Sequence, residues 1–405
     1  MERVTMLDPT KNPIKGFKMI LTVSSIQIYD KKYALVIPIA WLICSFISLI
    51  FFIITIMKIK TADDIFAFVH HFVVYLSFIN SVIWSYYKRD NWDRLIDGTH
   101  ITFEYRSEIM YKKVAEMTKP RKEWLQKILN LSIFFLIFNI LNIWLYSFIE
   151  KIQGNKPHLI LFPVFPPFDM DYLPWQLVVL LWQQQVISAM LFTVYGVLGA
   201  LTIFYDYISN EISLLKFAML HIEERAKEMM KTTKMKYQNL TEQELYKKCL
   251  IACTNQCAKH HSIIYDYYLN AIQAVRYTYF IVVIVGIVAL VCGGATIIFG
   301  SMNIKTKFFG MIIATLIFLY LAFWFGNEVR DLSDTIPWIV YDINWLELPK
   351  ECHSTLRIMM TRSMKPMALT TSLGQNVDLE NFMGLVKAAY SYFNMIYQGS
   401  QQGMF

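Results

Sequence analysis

"LENFMGLVKAAYSYFNMIYQGS", Leu379 to Ser400, is nearly long enough to cross a bilayer and largely apolar, yet it carries a lysine, two asparagines, a glutamine and three tyrosines. At 100° per residue Lys387, Ser391, Asn394, Met395 and Gln398 share one face, with Leu385, Val386, Ala389, Phe393 and Ile396 largely opposite. Unsatisfied polar groups in lipid cost several kcal/mol each, so such a stripe must face protein or water. Interhelical glue inside one bundle, a helix lying on the membrane surface and a pore-lining helix all meet that condition. One helix cannot enclose a channel, so the pore reading needs several copies around an axis, most simply four. It places Ser391, Asn394, Met395, Gln398 and Gly399 along the pore, with Met395 as a dewetting constriction near the outer end.

The 405 residues are 56% hydrophobic, 16% aromatic and 17% charged, more apolar than one soluble core of this length uses. Stretches of spanning length run from Tyr33 to Met57, Ile65 to Tyr87, Leu125 to Ile149, Leu177 to Tyr205, Tyr277 to Phe299 and Phe308 to Phe325. Each can cross roughly 30 Å of hydrocarbon at about 1.5 Å per residue. The expected fold is therefore all-α, a polytopic membrane protein with seven transmembrane helices. Residues 1–326 would hold helices one to six, and 327–405 a cytosolic anchor segment followed by helix seven. The polar start, Met1 to Lys18, and the apolar run Met19 to Ile28, which lacks a small-residue cleavage site, read as an uncleaved cytosolic terminus with room for an interfacial helix.

Lys and Arg set the sidedness. The segments 1–32, 88–124, 206–271 and 327–378 carry 29 of them, and the alternate segments 58–64, 151–176 and 302–306 carry 5, which makes the first set cytosolic. Both termini follow: the N-terminus inside, the C-terminus outside. The sequons at Asn130 and Asn239 then fall on the inner side, away from glycosylation. The outer loop Lys151 to Gln176 carries Pro157, Pro163, Pro166, Pro167 and Pro174, a stiff segment suited to a lid. Apolar residues at helical spacing (Ile212, Leu215, Met219, Ile222), a charged break at Lys227 to Thr241 and a second helix from Glu242 make helices four and five project below the membrane.

The second half resembles a known family. Phe325-Gly326-Asn327-Glu328, Asp342, Trp345, Arg357, Arg362, Pro366, Gly374, Leu379, Phe382 and Tyr390-Ser391-Tyr392-Phe393 look like the C-terminal signature of insect odorant receptors. The resemblance implies a tetrameric, odorant-gated, non-selective cation channel in the plasma membrane of sensory dendrites, in which a tuning subunit joins a common co-receptor subunit. The cytosolic stretch Asp206 to Ala271 is too short for a co-receptor, so the chain resembles the odorant-binding subunit. In the family the constriction falls at positions matching Met395 and Gly399, with a glutamine matching Gln398. Lys387 stands where small or apolar residues are usual and is placed low in the helix, near the cytosolic mouth. A taste-receptor channel of the same architecture is the second reading. A receptor coupled to G proteins is the third, although no D-R-Y or N-P-x-x-Y motif lies at any span end.

The outer halves of spans two, three, four and six are rich in aromatics and sparing with polar groups. Candidate ligand contacts there are His71, Phe72, Tyr75, Phe138, Asn139, Asn142, Tyr146, Trp182, Gln183, Ile187, Met190, Ile312 and Thr315. An apolar cavity with a few hydrogen-bonding groups suits a small, weakly polar volatile. Uncharged outer halves argue against an ionic ligand. Cys249, Cys253 and Cys257, near His260 and His261, recur every fourth residue, but a straight helix spreads the first and last too far for one ion, so no metal or other cofactor is expected. No P-loop, G-x-S-x-G, H-E-x-x-H or Rossmann pattern appears and no buried ionisable cluster is evident, so no enzyme, nucleic-acid or catalytic role is assigned.

Overall fold

A computed structural model describes residues 18, 36–59, 61–98, 101–154, 158–162, 166, 168–234, 240–300 and 302–402. The interfacial helix expected at Met19 to Ile28 lies outside these residues. The helices are α1 (Val36–Ile56), α2 (Ala62–Tyr87), α3 (Arg89–Asp97), α4 (Glu108–Ile152), α5 (Leu173–Leu220), α6 (Ile222–Thr233), α7 (Glu242–Phe299), α8 (Met302–Asp334), α9 (Ile336–Asp342), α10 (Lys350–Ser363) and α11 (Leu379–Gln401). Five of the six uniformly apolar spans fall within α2, α4, α5, α7 and α8, and α1 covers the first from Val36 to Ile56, that span's residues 33–35 lying outside the described ones. Each of the six helices has a window long and apolar enough to cross a membrane. The seventh expected span is α11.

The helices that carry the fourth and fifth spans are far longer than a membrane crossing needs. α5 has 48 residues and α7 has 58, roughly 72 and 87 Å at the rise of an α-helix. The charged break was expected from Lys227, but α6 continues to Thr233. Its apolar side, Ile222 and Ala226, is buried together with Arg225, and the remaining charges occupy the solvent side of an amphipathic turn. α7 then begins at a capping box in which Thr241 accepts from Glu244 N–H and the Glu244 carboxylate reaches back to Thr241.

α7 is the spine, packed against α2, α8 and α11 in the membrane and α3, α6 and α10 below it. Two cores flank it. The inner one gathers Trp92, Phe204, Tyr267, Tyr279 and Phe325; the outer one gathers Phe52, Phe68, Tyr75, Phe162 and Trp182.

Polar bonds tie the inner core together. Arg121 Nε donates to Asp206 Oδ1 at 2.8 Å and its Nη2 to Oδ2 at 2.5 Å. His260 bridges Tyr105 (Nδ1 to the hydroxyl, 2.7 Å) and Glu211 (Nε2 to Oε2, 2.9 Å), and burial pushes the Tyr105 phenol well above its usual range. Tyr267 and Tyr268 donate to the backbone oxygens of Leu95 and Ala368 at 2.7 and 2.8 Å. The 327–378 segment folds back onto α7 and α8, so close at one point that a Cβ on Gly326 would sit 2.1 Å from the Val377 carbonyl oxygen. Only glycine fits there.

Candidate ligand cavity and the exposed face of the last helix

The apolar face of α11 docks on its own chain. Leu385 and Ala389 are buried, and Phe393 lies where a side chain on Gly294 of α7 would stand, 2.6 Å from the added Cβ. The polar face does not dock. Lys387, Ser391 and Gln398 are exposed, Asn394 is half-buried, and Met395 is 64% exposed. Of the five expected pore residues, Gly399 alone is buried. The foot of the helix is held by Asp378, which accepts from Asn381 N–H at 3.0 Å and from Arg330 Nη1 of α8 at 2.8 Å.

A cavity of about 210 Å³ opens between α2, α4, α5, α7 and α8. A cavity of about 150 Å³ lined by aliphatic and aromatic groups takes benzene, so this one suits a molecule somewhat larger. Of the residues singled out from the sequence, His71, Asn139, Ile187, Met190 and Thr315 line it. The cavity runs deeper than expected, down to Ile128, Leu198, Trp324 and Phe325 near the inner side.

The other candidates do not line it, each for a visible reason. Tyr75 is fully buried and donates to Ser48 Oγ at 3.1 Å, and Trp182 Nε1 donates to the same oxygen at 2.9 Å. Phe72 stacks in the same aromatic group, 5.4 Å from Phe52 and 5.7 Å from Phe68. Phe138 is one residue, hence 100°, around from Asn139 and is 50% exposed on the outside of α4. Asn142 faces Gly310 of α8. Ile312 packs against Gly293 of α7, and Tyr146 is half-buried outside the lining.

Gln183 has a different task. Its Oε1 accepts from Leu161 N–H at 2.8 Å and its Nε2 donates to Phe162 O at 2.7 Å. Lys307 Nζ donates to Leu161 O. This seats Phe162 between Phe52, His71 and Trp182, with centroid distances of 6.1, 4.9 and 5.6 Å. The outer loop thus plugs the outer end of the bundle, and the aromatics there are spent on closing it. His71 has one face on the plug and borders the cavity.

Sequence reasoning overlooked α7, which lines the cavity through Ile281, Val282, Val285, Gly286 and Ala289, and the depth residues Phe135, Val194, Tyr195 and Phe318. The signal was the run of small residues Gly286, Gly293 and Gly294 in one spanning stretch, which marks a face closely approached by neighbouring helices. Among the described residues no three His, Cys, Asp or Glu side chains are placed to hold a metal ion.

The family model described as "7tm Odorant receptor" matches residues 64–390. Odorant receptor 10 of Aedes albopictus is 31% identical over 91 residues, 21% of this chain and 24% of that protein. Odorant receptor 30a of Drosophila melanogaster is 29% identical over 86 residues, 21% of this chain and 22% of that one. The chain therefore aligns with about a quarter of the length of these relatives. In three dimensions the likeness extends over nearly the whole chain: the insect olfactory receptor OR5 from Machilis hrabei, in complex with eugenol, superposes with a TM-score of 0.72 over 95% of this chain and 97% of the other, at 13% identity.

Proposed function

The chain belongs to the 7tm odorant receptor family, and from that premise we propose that it is the odorant-binding subunit of an odorant-gated, non-selective cation channel in the plasma membrane of sensory neurons. A small, weakly polar volatile occupies the cavity between α2, α4, α5, α7 and α8. The ion path runs along the polar face of α11, at the centre of a tetramer formed with a co-receptor subunit.

The observation that carries this reading is the sidedness of α11. A spanning helix whose apolar flank is docked on its own chain, and whose Lys387, Ser391, Met395 and Gln398 remain uncovered, needs water or neighbouring subunits along that edge. α7 touches both the cavity, through Gly286 and Ala289, and the inner flank of α11, through Gly294. It is therefore the element through which an occupied cavity reaches the pore. Occupancy shifts the resting population toward an open arrangement only as far as the ligand binds that arrangement better.

The test is expression with and without a co-receptor subunit, recording odour-evoked currents over a panel of volatiles. Current is expected only with the partner, and Q398A should change ion preference while leaving the rank order of odorants intact. Silence in both conditions, or an ion preference untouched by Gln398 and Met395 substitutions, would count against the channel.

A further inference from the structure

Within the cavity three lining hydroxyls are committed to their own helices, while His71 Nε2 is buried without a partner among the described residues. Ser77, Ser132 and Thr315 donate to the backbone oxygens of Val74, Ile128 and Met311 on their own helices, at 2.6, 2.8 and 2.9 Å. Tyr195 differs. Asn139 Nδ2 donates to Phe135 O at 2.8 Å and to the Tyr195 hydroxyl at 3.2 Å. Because Phe135 O can only accept, the amide orientation is settled, and Tyr195 is the acceptor of the second bond. Its own proton meets no acceptor among the described residues. Both side chains are nine-tenths buried, at 9% and 7% exposure, and both line the cavity.

We propose, resting on the odorant-receptor reading above, that Tyr195 is a specificity-determining donor and that the cavity selects volatiles carrying a carbonyl, ester or hydroxyl oxygen over hydrocarbons of the same shape. Asn139 is the positioning residue. By occupying one lone pair of the phenol oxygen it turns the hydroxyl proton away from α4. A hydrocarbon leaves that proton buried and unpaired, whereas a ligand oxygen restores the missing bond. Ser81 is the other lining hydroxyl without an acceptor among the described residues, but a helical serine can turn its proton onto the carbonyl one turn back. Tyr195, whose ring holds its hydroxyl off the backbone, has no such recourse.

The experiment compares ethylbenzene, acetophenone and 1-phenylethanol, which share a carbon skeleton and differ in oxygen. Binding to the full chain in detergent is read from the concentration dependence of its thermal unfolding midpoint, and odour-evoked current is recorded separately. Y195F should weaken the ketone and the alcohol roughly tenfold and leave ethylbenzene within about twofold, a comparison in which the differing hydrophobicity of the compounds cancels. N139A keeps the phenol and should erode the same preference by less; S81A should leave it alone. Equal weakening of all three compounds by Y195F, no weakening, or loss of the preference in S81A instead would overturn the assignment. A tyrosine-dependent difference in binding without any current would count against the channel and leave this inference standing; current to all three compounds, indifferent to Tyr195, would do the reverse.

Discussion

The inner and outer regions of this molecule are built by opposite means. Below the membrane, helices are joined by directional bonds between buried groups: Arg121 to Asp206, His260 to Tyr105 and Glu211, Arg225 Nη2 to Gln256 at 2.6 Å. Around the cavity, contact is made largely by rings and methyl groups, and the lining hydroxyls of Ser77, Ser132 and Thr315 are tied to their own helices. Apolar contacts are weak singly and indifferent to small rotations, whereas a bidentate ion pair tolerates one geometry. The difference teaches where each property resides. The inner region fixes the relative placement of helices, and the cavity wall is held mainly by non-directional contact.

Removing one partner of a buried inner pair should break this contrast most visibly. R121M leaves the Asp206 carboxylate, 1% exposed, without its cation. We expect a loss of about 3 kcal/mol, read as a lowered unfolding midpoint of the full chain and reduced surface expression; an unchanged midpoint would mean that the inner region is held by its apolar packing after all.

A smaller effect is expected where a directional bond has been placed in the outer region. Q183L removes both partners of the Leu161–Phe162 backbone and should cost about 2 kcal/mol. The checkable sign is hydrogen exchange: the Leu161 amide should lose its protection while amides of α7 keep theirs. Retained protection at Leu161 would show that ring packing around Phe162 seats the plug by itself. Smallest of all should be F138L, on the outer surface of α4, with stability within about 0.5 kcal/mol and odorant potencies unchanged; altered tuning would move the binding site to the outside of the bundle.

Much of this was legible beforehand. The spans and the two faces of α11 follow from local pattern: Lys387, Ser391 and Gln398 recur at helical spacing opposite Leu385, Ala389 and Phe393, and the structure leaves the first set uncovered and docks the second. The candidate site was legible only in part. His71, Asn139, Ile187, Met190 and Thr315 border the cavity, whereas Tyr75, Trp182 and Gln183 were drawn into the outer plug by Ser48, Leu161 and Phe162. Those partners are distant in sequence, and nothing in the residues around Gln183 distinguishes an amide that will meet a ligand from one that will meet a loop.

What the amino-acid sequence determined alone is which stretches are long and apolar enough to cross a membrane and which helix keeps a polar, uncovered edge, because hydropathy and a 3.6-residue period act along one segment at a time. Only tertiary structure decided the depth of the cavity, the entry of α7 into its wall through Gly286 and the pairing of Asn139 with Tyr195. Each of these depends on how one helix is rotated about its axis relative to another, and close packing between them sets that rotation.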